Sequence, residues 1–352
     1  MVLMAVDHGS AIYNAGRVAS DNAVMHVVGS ALPLDQLLTR WITHLCAPAF
    51  VLLAGMSIAL AGARHRVPAE RRAFDRHLLI RGVVLVGLDA VYMSGLSGGL
   101  LLQVLYALGI GMIALVPLRR LDPRVMLALA LAWMLVDEAV TSLVWSPTGN
   151  TWPATALLVG YWKGEIGTLL YPALPWLAIM MLGHVLGEHM VRWHAGRARW
   201  SPTRVLALAG LAGLALFAVV RGYDGYGNMF LLREDGSLAQ WLHVSKYPPS
   251  LAFVGLELGN VMLLLAALLW LEPRVPPGPD APLLVLGQTA LFFYVLHWPL
   301  LGLPAAILGL FGAGTVGTSY LAAATVVIVM LPLCRWYRGY KRAHPSGWAR
   351  YV

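Results

Sequence analysis

Apolar residues in this chain come in long unbroken runs, not in alternating or one-sided patterns. The stretch from Val125 to Val136 is apolar on every face, unlike a soluble amphipathic helix or a half-buried strand. A membrane span needs roughly 20 apolar residues, and runs of about that length recur between short polar breaks. They predict helices near 1–14, 37–62, 77–95, 100–118, 124–143, 168–188, 203–220, 249–271, 282–302 and 316–335. The expected fold class is all-α, a polytopic integral membrane protein with about ten transmembrane helices. A β-barrel would instead alternate with period two over segments of about ten residues. The run Met1 to Val6 reaches Asp7-His8-Gly9 after too few residues to span, so the first helix reads as truncated at its N-terminus or as less than a full span. Without a basic flank or a small-residue cleavage site, it does not read as a signal peptide.

Composition agrees with this pattern. Of 352 residues, 59% are hydrophobic and 12% charged, with mean hydropathy +0.70, more apolar surface than one soluble core can hide. The lipid bilayer is the expected solvent. The net charge of +8 follows the membrane instead of forming one basic face, so no nucleic-acid partner is expected. Alternate connections carry Arg64, Arg66, Arg71, Arg72, Arg76 and Arg81, then Arg119, Arg120 and Arg124, then Arg192, Arg197, Arg199 and Arg204, then Arg274. The tail adds Arg335, Arg338, Lys341, Arg342 and Arg350, which puts 19 of the 25 Lys and Arg on one side. Arg17, Arg40, Lys163, Arg221, Arg233 and Lys246 fall on the other. Positive residues mark the cytoplasmic side, so both termini are expected there. The two cysteines, Cys46 and Cys334, then lie near opposite faces and no disulfide is expected between them.

Ionisable and amide side chains inside apolar helices are costly, so each is a candidate for chemistry. Asp7, His8, His44, Asp89, Gln103, Glu257 and His297 all fall in the outer half of their runs. Gathered in one layer, they could handle protons, with imidazole as the base because its pKa lies near working pH. Each also has an ordinary structural reading, as a solvated helix end or as polar glue between helices. Asp137-Glu138 is expected to be solvated near the outer surface, and His184 lies away from the layer. Only His184 with Glu188 has the helical spacing of a metal-binding face, and no metal is expected. On the opposite side Arg64, Arg66, Arg71, Arg72, Arg119 and Arg120 could hold the phosphates of a nucleotide-bearing donor, although positive-inside bias alone places arginines there. No P-loop, nucleophile elbow or dinucleotide fingerprint occurs in a fitting context.

Several segments resemble a known family. Met1-Val2-Leu3-Met4-Ala5-Val6-Asp7-His8, then Arg40-Trp41-Ile42-Thr43-His44-Leu45-Cys46-Ala47-Pro48-Ala49-Phe50 running into Leu53-Ala54-Gly55, look like the opening of bacterial members of the heparan-alpha-glucosaminide N-acetyltransferase-like family. Leu102-Gln103-Val104-Leu105-Tyr106-Ala107-Leu108-Gly109-Ile110, Lys246-Tyr247-Pro248-Pro249-Ser250-Leu251 and Leu291-Phe292-Phe293-Tyr294-Val295-Leu296-His297 extend the likeness. The resemblance implies a single transmembrane acyltransferase domain over 1–352 in the bacterial inner membrane. It further implies acetyl-CoA as co-substrate from the cytoplasmic side and a sugar or envelope glycan as acceptor on the far side. The family's catalytic histidine just after its first helix implies that role for His8, with His44 in reserve and Asp7 orienting the imidazole. His297, Gln103, Asp89, Lys246 and Glu257 would bind substrate, and Gln103 or Lys246 would steady the oxyanion. Direct transfer and an acetyl-histidine intermediate both stay open, as do N- against O-acylation and association into a homo-oligomer. The second reading is a transporter or flippase built on the same polar layer, and the third a non-catalytic scaffold.

Overall fold

The computed structural model describes residues 1–65, 67–149, 152–345 and 347–351. Within them the chain is an all-α polytopic membrane protein with one very small sheet. Eight helical segments are long and apolar enough to cross a membrane: Leu34–Gly62, Pro68–Ser97, Pro123–Ser142, Ala173–His194, Pro202–Tyr223, Leu251–Leu271, Ala290–Leu308 and Val316–Ala343. The predicted runs near 1–14 and 100–118 form shorter helices, α1 (Val2–Tyr13) and a second described below.

Proline and glycine explain where the elements depart from the uniform runs of the sequence. The span Leu34–Gly62 is two helices, α2 (Leu34–His44) and α3 (Cys46–Gly62), meeting at Leu45. Pro48 has no N–H, and its ring crowds the carbonyl four residues back, that of His44, which is where the helix stops. The next span begins as α4 (Pro68–Gly87), widens into a π-helical turn over Leu88–Met93 and ends as α5 (Ser94–Ser97). Gly98 then takes a left-handed backbone with φ of 74° and ends it.

Beyond that turn, residues 100–102 form a strand, β1 (Leu100–Leu102), where the sequence predicted helix. It pairs in parallel with β3 (Gly167–Leu169), which pairs antiparallel with β2 (Trp162–Gly164), giving the order β1-β3-β2. The helix α6 (Val104–Leu118) starts only after β1. Its first turn is capped from another element, because the Asp89 carboxylate accepts the backbone N–H groups of Gln103 at 2.7 Å and Tyr106 at 2.8 Å. These are donors that a helix start otherwise leaves unpaired.

The chain continues through α7 (Pro123–Ser142), a short α8 (Pro153–Leu158), α9 (Ala173–His194) and α10 (Pro202–Tyr223). After another short helix, α11 (Leu238–Leu242), come α12 (Leu251–Leu271), α13 (Pro282–Gln288), α14 (Ala290–Leu308) and α15 (Val316–Ala343). The predicted run 282–302 is thus divided at Thr289. Two seams let backbones approach closely. A methyl group added at Gly55 on α3 would sit 2.0 Å from the Met180 carbonyl oxygen on α9, and one at Gly183 on α9 would sit 2.0 Å from that of Leu52. Between α10 and α12, Gly213 would meet the Gly255 carbonyl at 3.0 Å. Small residues at such contacts are how membrane helices gain van der Waals packing without a hydrophobic drive.

The end of α1 is stitched to the loop before α15. Gly312 and Gly314 donate their N–H groups to the carbonyls of Ile12 and Tyr13 at 2.9 and 2.7 Å, and Ala15 donates to Gly314 at 3.0 Å. This satisfies the last carbonyls of α1 and holds the first helix against α15 and against α14, which completes the site.

Candidate active site

A cavity of about 230 Å³ opens where α1, the α2–α3 junction, the start of α6, the 245–250 loop and α14 converge. Of the residues singled out from the sequence, Asp7, His8, Gln103 and Lys246 line it. So do Arg17, Asp21, Arg40, Cys46, Tyr171, Tyr247, Tyr294 and Trp298.

One wall is an ion-pair network. Asp7 accepts from Arg17 at 2.8 Å, from the Arg40 guanidinium and from the Thr43 hydroxyl at 3.2 Å. Arg40 also reaches Asp21, donating from Nε at 3.0 Å and from a terminal nitrogen. Its planar fork suits two carboxylates at once. His44 lies one helical turn beyond Arg40, and its Nε2 meets Asp21 at 3.1 Å. Burial works to raise the pKa of Asp21, but Arg40 and then His44 outweigh it and hold the carboxyl well below the usual carboxylate range. His44 therefore braces Asp21 and does not itself line the cavity. Asp7, directed to its arginines, does not orient the His8 ring.

The opposite wall comes from α14. His8 Nδ1 lies 2.6 Å from Nε2 of His297, whose Nδ1 lies 3.0 Å from the Phe293 carbonyl oxygen. The His8 ring is stacked on Trp298 at 4.3 Å between centroids. His297 is fully buried and reaches His8, not the cavity surface. Pro299 on the same helix cannot donate to the Val295 carbonyl, and the Tyr92 hydroxyl does so instead at 2.7 Å. That contact secures α14 next to the histidine pair.

Lys246 is 2% exposed, with its ammonium 5.2 Å from the centroid of the Tyr247 ring. Among the described residues it forms no ion pair. Its backbone N–H donates to the Asp21 carbonyl at 2.8 Å, and Asn22 donates to the Tyr247 carbonyl at 2.8 Å. The 14–33 and 221–250 connections are therefore laced together over the cavity. The second connection is organised by Arg221, fully buried, which donates to Asn228 Oδ1, to the carbonyls of Leu231, Gln240 and His243, at 2.6 to 2.8 Å. Burial, and next Tyr247, push the phenol of neighbouring Tyr171 well up.

The other predicted site residues lie elsewhere. Asp89 serves as the cap of α6. Glu257 is fully buried on α12, with neither carboxyl oxygen hydrogen-bonded among the described residues, and lies outside the cavity lining. Asp137 is buried and accepts from Thr141 at 3.1 Å, while Glu138 accepts the N–H groups of Gly227 and Met229. Both are structural and not merely solvated. Arg64, Arg71 and Arg72 are exposed at the far end of α3 and the start of α4, and Arg66 lies outside the described residues. Arg119 and Arg120 both bind Asp75, and Arg119 also covers the Phe74 ring at 5.1 Å. From Gln103 to Arg119, α6 carries the chain about 24 Å away from the cavity at 1.5 Å per residue.

Sequence reasoning missed Asp21 as a site residue and counted Arg17 and Arg40 only as outer-side charge. The usable signal was Arg40-x-x-x-His44, two ionisable side chains one turn apart on the same face of α2.

Comparison with known proteins gives one finding. The family model for heparan-alpha-glucosaminide N-acetyltransferase, catalytic, matches residues 22–220. No curated protein and no solved structure matches the chain.

Proposed function

Because the chain belongs to the heparan-alpha-glucosaminide N-acetyltransferase catalytic family, a membrane acetyltransferase-like protein, we propose that it takes an acetyl group from cytoplasmic acetyl-CoA. It passes that group to an amine or hydroxyl of a sugar or envelope glycan on the outer side of a bacterial inner membrane. The observation that carries this reading is the cavity itself, where a histidine, a buried ammonium and an amide meet. His8 removes the proton from the attacking group, and Lys246 with Gln103 steadies the oxyanion of the tetrahedral intermediate. The Asp7–Arg17–Arg40–Asp21 network holds the wall rigid, and His44 acts through Asp21.

The arginine-rich far end supports the donor half. A CoA nucleotide is anionic and is joined to its thioester by a long thin arm, a shape suited to charge at one end of α6 and chemistry at the other. Arg64, Arg71 and Arg72, exposed there, are the side chains assigned to its phosphates. Arg119 and Arg120 share the single carboxylate of Asp75, which leaves one positive charge uncompensated beside the others.

The test uses full-length protein in detergent with acetyl-labelled acetyl-CoA, following free thiol and label with and without glucosamine. Thiol release with label on the sugar is expected, and His8→Ala should lower the rate by about 10²–10⁴-fold, the usual contribution of a general base. Binding and consumption of no acetyl-CoA by the wild-type protein would sink the reading and leave transport as the better idea. Label retained on the protein would replace direct transfer by a covalent route.

A further inference from the structure

His8 at the cavity wall and His297 behind it fix each other's proton positions. A carbonyl oxygen only accepts, so Nδ1 of His297, 3.0 Å from the Phe293 oxygen, must carry a hydrogen. A neutral imidazole has one N–H, which leaves Nε2 of His297 with a lone pair. That lone pair faces Nδ1 of His8 at 2.6 Å, so His8 Nδ1 is the donor. The remaining nitrogen, His8 Nε2, then has a free lone pair on a ring that lines the cavity. The Tyr294 backbone makes a second contact with the His297 ring, and among the described residues no carboxylate hydrogen-bonds either ring.

We propose that His297 is a positioning residue for His8. Set by a backbone carbonyl, it holds His8 in the Nδ1–H tautomer with Nε2 presented to the substrate, and it shares the positive charge when His8 takes a proton. The proposal rests on the reading of His8 as base and assigns to a second histidine the orienting task that a carboxylate performs in hydrolase triads. In the transfer the acceptor atom bonds to the acyl carbon, and its proton moves to His8 Nε2. The Nδ1 hydrogen can then shift toward His297 Nε2, spreading the charge over two rings. When the acyl carbon–sulfur bond breaks, the proton returns from His8 Nε2 to the departing thiolate. Without His297 the ring of His8 keeps its stack on Trp298 but has nothing to choose its tautomer.

Two measurements test this. The first needs no turnover: ¹⁵N NMR of histidine-labelled full-length protein, assigned through loss of signals in His8→Gln and His297→Gln. Both rings should be protonated at Nδ1 and bare at Nε2; His8 protonated at Nε2 instead would overturn the proposal. The second compares His297→Phe with His297→Gln in acyl transfer. Phe should cut kcat by about 10²-fold, within the range of acid–base contributions, with both KM values little changed. Gln, whose side-chain oxygen can accept the His8 N–H, should recover about tenfold of that loss, since hydrogen bonds to the catalytic ring set its orientation. Equal kcat values for the two variants, or a loss carried by KM, would also overturn it. A wild-type protein inactive with acetyl-CoA but showing the expected tautomers would defeat the acyltransferase reading alone.

Discussion

At the scale of single residues, the site depends on charges that are tolerated only in combination. Arg40 is 6% exposed and answers both Asp7 and Asp21. Removing one member of a buried ion network strands the others, at a cost of about 3–5 kcal/mol. Arg40→Met should therefore lower thermal stability in detergent by that order, whereas Arg40→Lys, which keeps the charge but loses the fork, should fall between. A melting temperature unchanged in Arg40→Met would mean that Arg17 alone neutralises the pair. This scale was partly legible in the sequence. His8, His297 and Gln103 stood out because polar groups in apolar runs need a reason, and Lys246 through the family-like segment that it opens. Asp21 did not, because it sits in a polar connection where an acid is ordinary. Glu257 stood out equally and yet lies off the cavity, since depth along a helix says nothing about which face a residue occupies.

Helices set the spacing of those residues, and here glycine and proline decide more than apolarity does. The sequence shows where most runs lie, because the bilayer demands length and apolarity, but it misses charged extensions: α4 begins at Pro68 and not 77, and α15 runs to Ala343 and not 335. It does not show that Leu100–Leu102 becomes a strand, that Leu34–Gly62 is broken at Leu45, or that Leu88–Met93 widens into a π turn. Those features answer to partners distant in sequence, such as β3 and the backbone donors at the start of α6. The α3–α9 seam is the most demanding contact. Gly55→Ala would place a methyl group 2.0 Å from a backbone oxygen that cannot rotate away. Forcing the helices apart should cost about 1–3 kcal/mol, read as a lower melting temperature. Because α3 begins at Cys46, beside the cavity, the same variant should also raise KM. Gly278, with open space around it, is the control that should change neither.

Taken whole, the molecule closes its cavity with two connections that lie far apart in the chain. His243 ties them, donating Nε2–H to the Ser20 carbonyl at 2.6 Å, while its Nδ1 is buried with no partner among the described residues. Burial first, then His26 and Arg221, lower its pKa below the ordinary 6.5, with the Ser20 contact and Asp21 opposing. A lowered pKa means that the fold favours the neutral ring. Its contribution is full above about pH 6.5 and is lost as pH falls, when a charge must form beside His26 and Arg221. Hydrogen exchange should show residues 221–248 losing protection between neutral and mildly acidic pH, and His243→Gln should flatten that dependence. Protection rising with acid would reverse the assignment. None of this tie could be read from the sequence, because it joins positions 20 and 243 through a loop shaped by Arg221. The histidine pair has a similar reach, joining residue 8 to residue 297, and it bears on biosynthesis. Asp7 has its partners Arg17 and Arg40 within the first 40 residues, so during synthesis its charge can be answered while most helices are still unmade. His8 waits until α14 is inserted. A ribosome-bound intermediate would thus be electrostatically quiet yet chemically inert, which crosslinking and acyl-transfer assays on stalled nascent chains can check. On the proposed reading of His8 as base, competence would arrive only near the end of synthesis.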